Sequence, residues 1–241
     1  MVEGLTTANL GKPNVEAALR QHSGYVDALR ACGWRVDELE PADAFPDSTF
    51  VEDAAIVVGG GVILTRPGAE SRRGEVDLLR EHVGEPLGEI VAPGTLDGGD
   101  VCELENGFLV GLSDRTNAHG AEQLVDLLRS MNLAAEVIDL RGLHGLLHLK
   151  TGLSYLGDGV ALVHEALDGV SALAKLRRVV VPPDEAYAAN AIRVRSKVLL
   201  AAGYPVVVDS LRQLGFDLVE LPMGEFQKLD GGLSCLSLRF A

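Results

Sequence analysis

Asp53–Gly84 reads DAAIVVGGGVILTRPGAESRRGEVDLLREHVG: an apolar stretch, a glycine turn, a second apolar stretch, a Pro/Gly/Ser loop and an amphipathic helical pattern. The same order recurs at Asp100–Asn132, DVCELENGFLVGLSDRTNAHGAEQLVDLLRSMN, and at 190–215, NAIRVRSKVLLAAGYPVVVDSLRQLG. In these copies the second apolar stretch reaches Ile63, Val110 and Leu200, ten residues after the opening Asp or Asn. A weaker copy, TGLSYLGDGVALVHEAL, follows Lys150 and leads into a predicted helical stretch to Leu176. Alternating apolar residues predict half-buried strands. The turns GGG, ENG, GDG and RSK sit where hairpins require turn chemistry. Apolar residues spaced by three and four predict helices through Leu124, Leu127, Leu128 and Met131, and through Val15, Leu19, His22, Val26 and Leu29. WRVDELE, EVIDL, RRVVVP and DLVELP are predicted as strands after the helices. Each unit therefore reads β-β-α-β, and the chain is α/β.

A fifth copy is predicted to be split across the ends. KLDGGLSCLSLRF resembles the first strand of a unit, and VEGLTTANLGKP resembles a loop that follows a hairpin. Five units joined end to end suggest a propeller-like ring in one domain spanning residues 1–241. The second strand of the split unit would precede Val2, where no residues stand to form it beyond Met1, so the C-terminal strand is expected to keep an open edge. Open edges invite pairing with another chain, which makes a homodimer one expected assembly.

Twenty-one Lys and Arg against 35 Asp and Glu give a net charge of −14, a poor match to phosphate backbones or anionic lipid and a better one to a small cation. Basic residues are neither clustered nor interleaved with aromatics, so no nucleic-acid partner is expected. VVGGGVIL lacks the GK[ST] that a phosphate loop requires. Cys32, Cys102 and Cys235 lie far apart with no CxxC pair, which fits a reducing cytosol. MVEGLTTANLGK carries no targeting pattern and no apolar run approaches ~18 residues, so a soluble cytoplasmic protein without a membrane span is expected.

Equivalent positions in a ring converge on its axis. Asp53, Asp97 to Asp100 (in LDGGD), His148, Asn190 and Asp230 to Cys235 all open units. Each has an ordinary alternative: Cys235 as a packed thiol, His148 as a core histidine, Asp97 as a turn cap. Their convergence favours a Cys–His–Asp site. His144 and His148 could share a metal-binding face, but no third ligand follows at zinc spacing, so no metal is expected. In FPDSTFVEDAA the acids Asp47, Glu52 and Asp53 interleave with Phe45, Phe50 and Val51, an arrangement that suits a cation. Arg72 and Arg115, after the second strands of successive units, are either surface charges or a carboxylate clamp.

FPDSTFVEDAA, LTRPGAESRRGE, LDGGDV, VGLSDRTNAHGAE, LHLKTGLSYL and KLDGGLSCLSLRF together resemble the dimethylarginine dimethylaminohydrolase family of the guanidino-group-modifying superfamily, in order from Val2 to Phe240. The resemblance implies a five-bladed ββαβ propeller. It implies Cys235 as nucleophile, His148 as general acid/base and Asp97 as the acid orienting it, where some relatives carry Glu. Asp53 and Asp230 would bind the guanidinium. Asp47 and the backbone of Leu5 and Leu229 would hold the α-amine, and Arg72 and Arg115 the α-carboxylate. Phe50 and Glu52 complete the implied substrate-binding set. The implied activity is hydrolysis of methylated arginines to citrulline, without metal or organic cofactor. A related arginine deiminase and a non-catalytic binding propeller are the alternatives; the chain lacks the helical insertion of typical arginine deiminases.

Overall fold

Four of the predicted hairpins form, and each gains a third strand that runs parallel to its second. The computed structural model describes residues 1–240. Helix α1 spans Val15–Ala31, capped by Asn14, whose side chain accepts from the Ala17 amide. The first unit holds β1 (Ala55–Val58), β2 (Gly61–Leu64), α2 (Glu75–Val83) and β3 (Gly88–Glu89). The second holds β4 (Val101–Leu104), β5 (Gly107–Leu112), α3 (Ala118–Ser130) and β6 (Ala135–Asp139). The third opens with the short α4 (Leu149–Gly152), then β7 (Leu153–Gly157), β8 (Val160–His164) and β9 (Arg177–Val181). The fourth comprises β10 (Ile192–Val194), β11 (Lys197–Ala201), α5 (Pro205–Gln213) and β12 (Asp217–Leu221), and α6 (Gly224–Gln227) follows. Every sheet has three strands, its second in the centre. The first pair is antiparallel and closes by a tight turn; the parallel third strand needs a crossover, which a helix supplies in the first, second and fourth units and two 3-10 turns in the third. Gly59 and Gly60 take φ of 54° and 84°, the left-handed pair that a two-residue hairpin turn demands.

Strand alternation sends successive residues toward different neighbours. Val101, Phe108 and Val110 pack with Ile56, Val58 and Ile63 of the first unit, whereas Cys102 and Leu109 pack with Leu149, Leu153 and Val163 of the third. Leu156 and Leu162 face Val198, Leu200 and Leu211. Ile192 and Leu199 face Tyr25 and Leu29 of α1 together with Phe226 and Leu233. Leu238 packs against the cluster of Ala55, Val62, Leu64 and Val76.

Three expectations require correction. No fifth sheet forms among the described residues: Ser234–Leu236 is a single 3-10 turn, and neither the rest of the tail nor WRVDELE is a strand. The reason is geometric. In every unit the two outer strands bond only to the central one, and the split unit has no central strand among these residues. The predicted open strand edge, and with it the basis for expecting a homodimer, is therefore not present. The tail is held by side chains instead, with Tyr25 Oη 2.7 Å from Ser237 Oγ. Second, the helix expected up to Leu176 is two 3-10 turns, Glu165–Leu167 and Ser171–Leu173, separated by Gly169, a poor helix former; buried Leu167 and Leu173 anchor them. Third, α1 buries Ala18, Tyr25, Val26 and Leu29, while Val15 and Leu19 of the predicted face are exposed. No helix among the described residues is long and apolar enough to cross a membrane.

Candidate active site

The LDGGD turn positions the first elements of the site. Asp97, wholly buried, accepts the Gly68 amide on Oδ1 at 2.8 Å, and its Oδ2 lies 3.0 Å from His148 Nε2. Both glycines are required by close approach. A Cβ on Gly98 would strike the Glu52 carbonyl, and one on Gly99 would stand 2.8 Å from Asp53 Oδ1 and 2.9 Å from His148 Cγ. The Gly99 amide donates to Asp53 Oδ1 at 3.0 Å. His148 caps α4, and Asp100 secures that helix start by accepting the Leu149 amide at 3.0 Å, while Ser113 and Thr116 hold its other oxygen.

These contacts set the protonation states. Burial opposes a charged imidazole, but the carboxylates of Asp53, Asp100 and Asp97 outweigh it and raise His148 to about 9. Burial would raise the Asp97 carboxyl, but the hydrogen bond and charge of His148 hold it below the usual range. At neutral pH the pair is therefore imidazolium and carboxylate. Cys235 is the opposite case: burial first, then the charges of Glu52 and Asp53, push its thiol up to about 12. Its Sγ accepts the Gly232 amide at 3.4 Å.

The expected substrate-binding residues fall in two sets. Asp47, buried, accepts the amide of Leu5, which is exposed. Burial raises the Asp47 carboxyl, opposed by Arg72 and the Leu5 amide. Asp230 accepts the amide and hydroxyl of Thr7, and so ties the N-terminal loop to the buried Leu229 turn. A cavity of about 340 Å³ opens beside this loop, lined by Thr7, Leu147, Thr151, Tyr187 and Asp230. Phe50 packs edge-on against Phe226, 6.4 Å between centroids, and closes on Gly231.

Arg72 and Arg115 are not equivalent. Arg72 is buried with Nη1 2.5 Å from Asp53 Oδ2 and Nη2 2.8 Å from Glu75 Oε2, and it also donates to the Phe50 carbonyl at 2.9 Å. Arg115 is half-buried near Asp47 and makes no ion pair among the described residues. Glu52 has both oxygens engaged, by Ser234 Oγ at 2.7 Å, Lys150 Nζ at 2.6 Å and Arg239 Nη2 at 3.3 Å.

A metal would find one candidate set, Asp53, Asp97 and His148, whose ligand atoms lie within 4.8 Å of one another. The contacts already described occupy those atoms, and His144 lies outside the set.

The family model for arginine deiminase matches residues 38–180. The N(G),N(G)-dimethylarginine dimethylaminohydrolase of Pseudomonas aeruginosa is 40% identical over 100% of this chain and 95% of its own length. The enzyme of the same name from Streptomyces coelicolor is 40% identical over 99% of this chain and 92% of its own. This chain belongs to the dimethylarginine dimethylaminohydrolase family. A solved dimethylarginine dimethylaminohydrolase from P. aeruginosa, a cysteine-to-serine mutant complexed with citrulline, superposes with a TM-score of 0.95 at 40% identity, covering 99% of this chain and 94% of that one.

Membership in the dimethylarginine dimethylaminohydrolase family concerns the whole chain; the roles of five residues at the site escaped the sequence reading. Glu75 could have been found, three residues after Arg72 on a helix start. Lys150, Ser234 and Arg239 come onto Glu52 from segments far from it in the chain and carry no local signal. Asp100 was legible as the acid closing LDGGD but not as the anchor of the histidine's helix.

Proposed function

We propose that this protein hydrolyses Nω-methylated L-arginines to L-citrulline and dimethylamine or methylamine through a covalent cysteine intermediate. One observation carries the reading: a half-buried thiol pushed up by desolvation and by the carboxylates of Glu52 and Asp53, the second of which also faces a buried imidazolium–carboxylate pair. A cation entering such a site stabilises the thiolate that the empty site disfavours, so a cationic guanidinium activates its own nucleophile. Asp53 and Asp230 would hold the guanidinium flat with its carbon against Cys235 Sγ. The thiol releases its proton to solvent as the guanidinium binds, and the thiolate sulfur attacks the guanidinium carbon and gives a tetrahedral adduct. His148 then donates its proton to the departing amine as the C–N bond breaks, leaving an S-alkylthiouronium. Neutral His148 next removes a proton from water, whose oxygen adds to the same carbon, and Cys235 leaves to release citrulline. Asp97 keeps the imidazole oriented throughout. At the far end Asp47, with the backbone of Leu5 and Leu229, suits the α-amine, and Arg115 the α-carboxylate, with Arg72 behind it.

The finer architecture belongs to the same reading. Five apolar clusters join unit to unit, the tail and α1 stand in for a fifth, and Leu238 returns to the first. We read this as a five-unit ring with the unit starts on its axis. The test is citrulline formation from dimethylated, monomethylated and unmethylated arginine side by side. Turnover confined to the methylated substrates supports the proposal. Preference for unmethylated arginine would make the chain a deiminase, and no citrulline from any of them would leave a binding protein.

A further inference from the structure

Asn190 opens the fourth unit, and the chemistry above leaves it unused. Its side chain is nonetheless buried and fully engaged. Oδ1 accepts the Ser234 amide at 3.0 Å; Nδ2 donates to Ser234 Oγ at 3.0 Å and to the Lys150 carbonyl at 2.9 Å. Glu52 joins the same two residues a second time, accepting the Ser234 hydroxyl and pairing with the Lys150 ammonium. Ser234 directly precedes the nucleophile, and Lys150 lies two residues after His148 on α4. Gly232 allows the approach, since a Cβ there would stand 2.5 Å from Asn190 Cγ.

We propose that Asn190 and Glu52 are positioning residues that set the placement of Cys235 relative to His148 by cross-linking Ser234 to Lys150. The tail lacks a strand ladder to hold it, so these side chains supply the constraint a sheet would otherwise provide. Arg239 adds to it by donating to the Ser234 carbonyl at 3.2 Å and to Glu52. The proposal also gives Glu52 a task of its own, holding Ser234 and Lys150 on its two oxygens. It rests on the hydrolase reading only through the activity arm of its test.

Asn190→Ala and Ser234→Ala test it, with Ser234→Thr restoring the hydroxyl. Expected for both alanine variants is a fall in kcat on the order of 10- to 100-fold, the scale of a misplacement near 1 Å, with KM within about threefold. Ser234→Thr should recover most of the loss. The second arm needs no turnover: iodoacetamide labelling of each cysteine at fixed pH, followed by peptide mass spectrometry. Loosening the turn exposes the half-buried Cys235 further, so its labelling should rise about tenfold or more. Buried Cys102 is the internal reference and should not change. Wild-type kcat and wild-type Cys235 labelling in Asn190→Ala would overturn the proposal. So would parallel labelling of Cys102, which would report general loosening. Absence of citrulline from the wild type would defeat the hydrolase reading, and the labelling arm would still decide this one.

Discussion

Replacing Arg72 by Ala should unfold the site before it weakens substrate binding. Arg72 is the shared partner of Asp53 and Glu75, both buried, and it ties them to the Phe50 carbonyl. Truncation leaves two carboxylates in a dry interior close to a third, Asp47, which also loses a neighbouring positive charge. Breaking a buried pair by removing one partner costs about 3–5 kcal/mol. In a chain of this size each kcal/mol lowers Tm by about 2–4 °C, so a fall of roughly 6–20 °C is expected. The sign of the pH dependence gives a second check. Burial already raises the Glu75 carboxyl, and Arg72 opposes that rise. Without the arginine, the folded state takes up protons more readily than the unfolded chain, so the deficit should shrink from pH 7.5 to pH 5. Arg115→Ala removes no ion pair and should leave Tm within about 2 °C while raising KM with little change in kcat, as loss of uniform binding does. Thermal melts at both pH values and steady-state kinetics decide the matter. An Arg72→Ala protein with wild-type Tm and only a raised KM would refute the structural role argued for it.

Cys235→Ser should abolish citrulline formation at unchanged Tm, whereas Cys102→Ser should stay active with a packing cost of about 1–3 kcal/mol; activity assays and melts of the two report on the choice of nucleophile. His148 has its folded pKa raised from 6.5 to about 9, so its contribution of about 3 kcal/mol is fully present below pH 6.5 and is lost as pH rises through 9. Urea titrations across that window should show the decline in the wild type and a flatter profile in His148→Gln; identical profiles would count against the His148–Asp97 ion pair. Asp97→Asn should lower kcat and shift the acid-base limb of the kcat–pH profile downward, since the acceptor that favours imidazolium is gone. Gly99→Ala should lose activity through its clash with Asp53 and His148, and a kcat within twofold of wild type would show that the turn can yield.

Local pattern was enough for the four hairpins, because each depends on residues close in sequence: alternation at two on either side of a tight turn. The LDGGD turn was legible for the same reason, since glycines flanked by acids mark close backbone approach. Strand formation at Trp34–Glu40 and in the tail was not legible, because a strand exists only with a partner and the one they share is not among these residues. The same limit applied to the site. Arg72 and Arg115 look alike in the sequence, yet packing buries one on Asp53 and Glu75 and leaves the other half-buried without an ion pair. Glu52 looked like one more acid for a cation, until folding brought Ser234, Lys150 and Arg239 onto its oxygens from positions 98 to 187 residues away. Charge and hydrogen-bonding capacity belong to the residue type. Which partner uses them is a matter of distance in the folded chain, and tertiary packing alone sets that distance.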